Sequence, residues 1–130
     1  MRDYQPHKNN PYWLEPTVYK RVLSVVRDYD RMKRQYQEVL NSSPPPSDGL
    51  PKGGLPGNPV VAKAEKLDRL YFDLHAIEKA LMKVPEDYRH GVMENVESGG
   101  WPVDKPAHYK TWLYWRKRFL YFVAENLKLL

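Results

Sequence analysis

Apolar residues recur at steps of three and four along most of this 130-residue chain. The pattern runs from near Pro16 to Asn41, from about Val60 to Lys83, and again through the last quarter of the sequence. Such spacing places apolar side chains on one face of an α-helix, whereas a half-buried strand alternates apolar and polar residues. No alternating β-branched segment occurs. The sequence therefore predicts an all-α fold.

The first helical segment is followed by a Ser-Ser-Pro-Pro-Pro run that ends it at Asn41. At its start, either Thr17 caps the helix or Pro16 occupies the first turn, where its missing N–H costs nothing. Three heptads of an a/d seam are formed by Val18, Val22, Val25, Tyr29, Met32, Tyr36 and Val39. Tyrosine is unusual in the seam of a two-stranded zipper, so internal packing and a dimeric coiled coil both remain open.

Residues 42–59 hold six prolines and four glycines, a composition typical of a linker. The linker separates an N-terminal arm and long helix (residues 1–41) from a helical domain (residues 60–130). The second long helix has its own seam, formed by Leu67, Leu70, Leu74, Ile77, Leu81 and Val84. Two such helices are expected to pair as an antiparallel hairpin within the chain or across chains in a homo-oligomer.

Two further helices are predicted after Pro85. The shorter one runs from Glu86 to about Glu97, with proline at its first position, and Ser98-Gly99-Gly100 ends it. The last one runs from His108 to Leu129, with a core stripe of Trp112, Trp115, Phe119, Phe122, Val123 and Leu127. A short helix, a connection with glycine and a longer basic helix give the outline of a helix-turn-helix.

The charge distribution indicates a polyanionic partner. The net charge is +5, and residues 106–130 carry five Lys or Arg against one Glu, a balance of +4. Positive charge concentrated on one helix is typical of nucleic-acid binding. Base contacts are predicted for the start of this helix and phosphate contacts for the following turns, through His108, Lys110, Thr111 and Tyr114, then Lys117, Arg118 and Tyr121. A protein-binding helix, or one with no specific role, remains open on spacing and charge alone.

Other function classes find little support in the residues. The chain has no cysteine, which excludes a disulfide scaffold and a thiolate site. The four histidines are scattered without metal-ligand spacing, and no serine lies in a G-x-S-x-G turn. No enzyme activity, cofactor or metal is therefore expected. No apolar run approaches the ~20 residues of a membrane span, and no signal peptide is visible, so a cytoplasmic protein without membrane contact is expected.

Two sequence phrases in the C-terminal half point to a family. The first consists of Ile77, Glu78, Ala80, Leu81, Val84, Pro85, Glu86, Tyr88, Arg89, Gly91, Val92 and Asn95. The second consists of Trp101, Pro102, Tyr109, Trp112, Arg118, Phe119, Tyr121, Val123, Ala124 and Leu127. Together they resemble the RinA/ArpU family of late-gene transcriptional regulators from phages and prophages. Trp101 stands where the family often has tyrosine, and Thr111 is displaced from the family's threonine, so Thr111 takes no role from it.

The resemblance implies a DNA-binding domain similar in outline to the promoter-reading domain of sigma factors. It further implies double-stranded DNA as the partner, action on phage promoters in the bacterial host cell, and host RNA polymerase as a second partner. The competing hypothesis is a helical phage assembly or adaptor protein that uses the basic helix and the heptad seams for protein contacts.

Overall fold

The computed structural model describes residues 6–42, 59–102 and 107–130. These ranges hold five helices and no strand, which confirms the all-α prediction. The helices are α1 (Pro16–Arg27), α2 (Tyr29–Asn41), α3 (Pro59–Leu81), α4 (Glu86–Ser98) and α5 (Tyr109–Asn126). The Pro- and Gly-rich linker, apart from Ser42 and Pro59, lies outside the described residues.

The segment from Pro16 to Asn41 is two helices that meet at Asp28, so the prediction of a single long helix is wrong. Asp28 has φ −91° and ψ 3°, and its N–H is shared between two α1 carbonyl groups at 3.2 and 3.1 Å. Its carboxylate accepts a hydrogen bond from Arg31 Nε at 2.6 Å. Aspartate is a weak helix former because its side chain bonds locally, and the chain turns here.

The break changes which side chains of α1 are buried. Val22 of the predicted seam is buried, but so are Tyr19, Leu23 and Val26, which lie outside that seam. Helix α1 packs against α4 and α5, whereas α2 packs mainly against α3. Because the two halves of the seam face different neighbours, they do not keep one heptad register. Four other seam residues are only partly buried and pack at the edge of the core: Val18, Val25, Tyr29 and Tyr36.

Helices α2 and α3 form an antiparallel pair within the chain. Lys63 Nζ, near the start of α3, donates to the backbone oxygen of Ser42 at 2.8 Å. At the other end, Tyr29 and Leu81 line one groove. Four of the six predicted seam residues are buried, namely Leu70, Leu74, Ile77 and Val84, and Leu67 and Leu81 are half-buried. The hairpin therefore buries its apolar seam inside one chain.

Helix α5 is central to the core and packs against α1, α3 and α4. Half of its predicted stripe is buried, namely Trp112, Phe119 and Val123. The other half is only half-buried, namely Trp115, Phe122 and Leu127. The buried face also includes three residues outside the stripe, Arg116, Leu120 and Ala124. Because α5 has neighbours on several sides, its buried face is wider than a two-helix seam.

The ends of α4 follow from proline and glycine. Pro85 is the N-cap residue, with φ −55° and ψ 142°, and not the first helical residue as predicted. Gly99 ends the helix in the left-handed region at φ 83°, which glycine adopts without steric cost. Its N–H donates to the Asn95 carbonyl oxygen at 2.7 Å. The predicted stop at Ser98-Gly99-Gly100 is confirmed.

Residues 6–15, here called the N-terminal arm, contact the helices through Tyr12 and Leu14, although the sequence predicts a loose arm for the first twelve residues. Leu14 is only 2% exposed. The Tyr12 N–H donates to Asn10 Oδ1 at 2.9 Å, and the Trp13 N–H donates to the Asn10 carbonyl oxygen at 3.0 Å. These local bonds fold the arm into a turn that buries Leu14 and places Tyr12 beside α5.

Candidate nucleic-acid interface

The helix predicted to contact DNA begins at Tyr109, because His108 is its N-cap. His108 Nδ1 accepts a hydrogen bond from the Lys110 N–H at 3.1 Å. His108 therefore precedes α5, which runs from Tyr109 to Asn126 and is shorter than the predicted helix from His108 to Leu129. With Nδ1 accepting, the neutral imidazole carries its proton on Nε2, which leaves a donor.

The residues at the start of α5 are open to solvent. His108, Tyr109 and Lys110 are exposed, with Tyr109 at 52%. Thr111 is half-buried, since its side chain turns toward the body of the protein. Of the residues assigned to base contacts, the exposed ones are therefore His108, Lys110 and Tyr114, the last at 42%.

One turn further along α5, Arg118 is enclosed by tyrosine rings. Its Cζ lies 3.3 Å from the ring centroid of Tyr114 and 4.4 Å from that of Tyr12. Arg118 Nη1 also donates to the Tyr114 carbonyl oxygen at 3.2 Å. Tyr121 meets Tyr12 edge to face, with centroids 5.3 Å apart. Arg118 and Tyr121 are half-buried because of these contacts with the N-terminal arm.

The structure brings four of the predicted residues together and leaves the others at a distance along the helix. Lys117 Nζ lies 6.0 Å from the Tyr114 ring centroid, and Lys117 shares a crevice with Tyr12. Tyr114, Lys117, Arg118 and Tyr121 therefore form one basic aromatic cluster. Lys110 lies roughly 16 Å from Tyr121 along the axis, at about 1.5 Å per residue.

Helix α5 is fixed against α4 by a close contact at Gly91. A β-carbon on Gly91 would lie 2.6 Å from two atoms of the Trp112 ring. Trp112 also stacks on Trp101 at 5.4 Å and meets the Tyr88 ring edge to face at 5.1 Å. These residues all belong to the two phrases quoted above. The contact orients α5 relative to α4, and with it the basic aromatic cluster.

The Arg116 side chain is buried in the core, unlike those of its neighbours Lys117 and Arg118. It is 4% exposed, and it donates from Nε to Asn95 Oδ1 at 2.8 Å and from Nη1 to Tyr19 Oη at 2.9 Å. Asn95 Nδ2 in turn donates to the Gly100 carbonyl oxygen at 3.3 Å. A guanidinium group supplies a fork of donors and suits such a junction. The network joins α1, α4 and α5 through the buried Arg116 side chain.

The cations on the outer face of α5 are not neutralised by neighbouring acids. Within the described residues, Lys110, Lys117 and Arg118 form no ion pair. Glu125 is the single acidic residue of the helix. Positive charge without a local partner attracts an anion from solution.

Acidic side chains collect at a groove of about 450 Å³ between α2 and α4. Its carboxylates are Asp30, Glu94 and Glu97, and burial, followed by the nearby Asp30 charge, raises the pKa of Glu97. The apolar lining comes from Tyr29, Leu81 and Met93. Arg89 and His90 also line the groove, and His90 Nε2 lies 3.8 Å from Glu94 Oε2, so this groove carries charges of both signs, unlike the basic surface on α5.

Two residues that contribute to the basic surface were missed in the sequence. Tyr12 was assigned to a loose arm, although the cluster Tyr12-Trp13-Leu14 is an apolar signal within a polar segment. Lys83 was taken as the end of a helix, but its Nζ lies 4.5 Å from the ring centroid of Phe122. Phe122 meets Tyr12 at 6.3 Å, so Lys83 borders the same surface.

The connection between α4 and α5 spans residues 99–108, and residues 103–106 of it lie outside the described part. It is longer than the three or four residues of a compact helix-turn-helix.

Glu86 and Asp87 occupy the first turn of α4. These acids complement the helix dipole but do not favour a phosphate at that end.

The described residues offer no group of three or more His, Asp or Glu side chains placed to hold a metal ion. Among the helices of the described ranges, none has an apolar stretch of bilayer-crossing length.

Comparison with known proteins does not assign a family. No family model matches the chain, and no solved structure matches it. The chain is similar to a phosphoenolpyruvate carboxykinase (GTP) of Thermococcus sibiricus, with 29% identity over 94 residues. The match covers 68% of this chain but only 15% of the enzyme's length. Because the match covers so little of the enzyme's length, it does not assign the activity of that enzyme to this chain.

Proposed function

We propose that this protein is a transcriptional regulator of the phage or prophage type that binds double-stranded DNA through α5. The observation that carries the proposal is the basic face of α5, where exposed Lys110 and half-buried Lys117 and Arg118 have no ion-pair partner among the described residues. A helix of this kind is narrow enough for the major groove, which is about 12 Å wide. The resemblance to the RinA/ArpU family supports the same assignment and implies host RNA polymerase as a partner.

Within the proposal, the parts of α5 have different roles. Lys110 and Tyr114, both exposed, are placed to reach base edges from the start of the helix. Lys117 and Arg118 are placed to contact phosphates, which fix position without reading sequence. Trp112 and Arg116 hold the helix in place from within the core.

The test is fluorescence anisotropy of labelled duplexes from the cognate phage genome, titrated at several salt concentrations. Wild-type affinity should fall steeply with salt, and Lys117→Ala with Arg118→Ala should reduce the slope of log K against log salt by about 2. The matched control is Lys33→Ala with Arg34→Ala, another adjacent Lys-Arg pair, exposed on α2. Equal losses in both double variants would indicate a net-charge effect and not an interface on α5.

Sequence preference is tested separately. Lys110→Ala and Tyr114→Ala should weaken binding and also reduce the preference for the cognate duplex over a scrambled one, because base contacts carry that preference. Losses that are equal on both duplexes would remove the base-reading role. A folded protein that binds no duplex at low salt would falsify the regulator proposal itself.

The second candidate is a helical adaptor that contacts another protein. The groove between α2 and α4 favours it, since an apolar lining of Tyr29, Leu81 and Met93 among charged side chains is typical of a protein contact. The salt titration separates the two candidates, because an adaptor has no reason to bind duplexes with a steep salt slope.

A further inference from the structure

Two tyrosine rings contact the Arg118 guanidinium group. Tyr114 contacts it at 3.3 Å from within α5, and Tyr12 of the N-terminal arm contacts it at 4.4 Å. Tyr12 is itself fixed by edge-to-face contacts with Tyr121 at 5.3 Å and Phe122 at 6.3 Å. The arm therefore contributes one half of a tyrosine clamp that restrains the Arg118 side chain.

The two ring contacts leave N–H groups of Arg118 for a ligand. Arg118 Nη1 donates to the Tyr114 carbonyl oxygen at 3.2 Å, which anchors one corner of the group. Its other N–H groups donate to no described residue. Guanidinium donors lie in one plane as a fork that matches two oxygens of a phosphate. A fork whose plane is already fixed loses little rotamer entropy when it binds.

We infer that the N-terminal arm is part of the DNA interface, with Tyr12 as the positioning residue that presents Arg118 to a backbone phosphate. This inference rests on the proposed function, and it adds a second segment of the chain to an interface otherwise confined to α5. The ligand group is a phosphodiester of duplex DNA. Lys117 lies in the same crevice as Pro6 and Tyr12 and supplies a second positive charge beside it.

The opposite role for the arm is a lid that must leave before DNA binds. The two roles predict opposite changes in DNA affinity when the Tyr12 ring is removed. If the arm presents Arg118, loss of the Tyr12 ring weakens binding; if the arm covers the interface, the same loss strengthens it. Presentation is favoured because Tyr12 contacts Arg118 through its ring and accepts none of the Arg118 N–H groups, so those not bonded to Tyr114 stay available to a phosphate.

The test uses the full chain with Tyr12→Leu and Tyr12→Phe. Leucine keeps apolar contact with Tyr121 and Phe122 but lacks the ring face, whereas phenylalanine keeps the ring. Tyr12→Leu should weaken duplex binding by about fivefold, the size of one lost cation–π contact of about 1 kcal/mol, and Tyr12→Phe should restore it. Tyr71→Leu is the matched control, since Tyr71 is an exposed tyrosine stacked on His75 of α3.

A double-mutant cycle with Arg118→Lys separates positioning from general packing. Lysine has no planar fork, so Arg118→Lys should weaken binding severalfold in the wild-type background and have little further effect when Tyr12 is leucine. The Arg118 Nε–H resonance gives a readout without DNA, because ring currents should shift it upfield in the wild type and in Tyr12→Phe but not in Tyr12→Leu.

Three results would overturn the inference while the proposed function stands: unchanged or tighter binding by Tyr12→Leu, additive effects in the cycle, or an Nε–H resonance that does not respond to Tyr12. Absence of duplex binding by the wild-type protein would overturn the proposed function, and the assigned role of the arm with it.

Discussion

A β-carbon on Gly91 would lie 2.6 Å from Cη2 and Cζ3 of Trp112, closer than van der Waals contact allows. The same β-carbon would lie 2.9 Å from Cγ of Pro102. The Trp112 indole therefore packs directly against the α4 backbone at Gly91, and any side chain at this position would hold α5 farther away. Trp112 is 3% exposed, so its ring has little room to move away.

The first prediction is that Gly91→Ala destabilises the protein despite alanine's better helix propensity. Overpacking costs about 1–3 kcal/mol, while the propensity gain is at most about 1 kcal/mol, so a net loss of about 1–2 kcal/mol is expected. Urea unfolding measures it. Gly100→Ala is the control, since its nearest atom would be 3.9 Å away. In Trp112→Phe the cost of Gly91→Ala should shrink, and an unchanged cost would contradict the clash.

The second prediction contrasts two arginines that are two residues apart. Arg116→Met removes the donors to Asn95 and Tyr19 and leaves their buried oxygens unsatisfied, which should cost about 2–4 kcal/mol of unfolding free energy. Arg118→Met should cost less than about 1 kcal/mol, because its contacts lie at the surface. Urea unfolding of both variants checks this. Equal losses would contradict the assignment of Arg116 to the core and Arg118 to the interface.

The helices were largely predictable, because the spacing of apolar residues and the positions of proline and glycine determine them locally. Gly99 ends α4 and Pro16 lies in the first turn of α1, as local rules require. The break at Asp28 was not predictable from the seam. It depends on α1 and α2 packing against different neighbours, which is a tertiary effect that overrides heptad spacing.

The candidate interface was predictable only in the part that lies on one helix. Tyr114, Lys117 and Arg118 share a face of α5 because of helical periodicity, and the sequence places them together. Tyr12 joins them across a separation of more than one hundred residues, and no local pattern encodes that contact. The arm was missed for this reason, since its composition alone is typical of a loop.

The third prediction concerns two aspartates whose ionisation acts in opposite directions. Burial, followed by the nearby Asp28 charge, raises the pKa of Asp73 above its usual 3.8. The folded state then holds that proton more tightly than the unfolded chain, so ionised Asp73 lowers stability at neutral pH, and this cost disappears as the pH falls through the raised pKa. Asp73→Asn should therefore stabilise the protein at pH 7, by under about 1 kcal/mol after solvent screening.

Ionisation of Asp28 has the opposite effect on stability, and Asp28 therefore serves as the matched comparison. The hydrogen bond from Arg31 lowers the pKa of Asp28 below its usual 3.8. Its stabilising contribution is present above that usual value and is lost as the pH falls through the lowered pKa. Thermal unfolding of Asp73→Asn and Asp28→Asn from pH 7 to pH 3 should show a raised and a reduced melting temperature at pH 7, both differences shrinking in acid. The same sign for both variants would contradict these assignments.

The last prediction places Lys83 on the DNA-binding surface. Its Nζ lies 4.5 Å from the Phe122 ring centroid, and Phe122 meets Tyr12, so the ammonium group borders the clamp around Arg118. As a compact charge without a fork, Lys83 suits a phosphate contact that carries no sequence information. Lys83→Ala should weaken binding to cognate and scrambled duplexes alike, and should reduce the salt slope by about 1. Lys66→Ala is the control, because Lys66 is an exposed lysine of α3 that lies roughly 22 Å before the end of the helix at Leu81, at about 1.5 Å per residue, whereas Lys83 follows that end. Equal effects of the two lysines would show that only total charge matters, whereas a loss confined to Lys83 would extend the proposed interface from α5 and the arm to the end of α3.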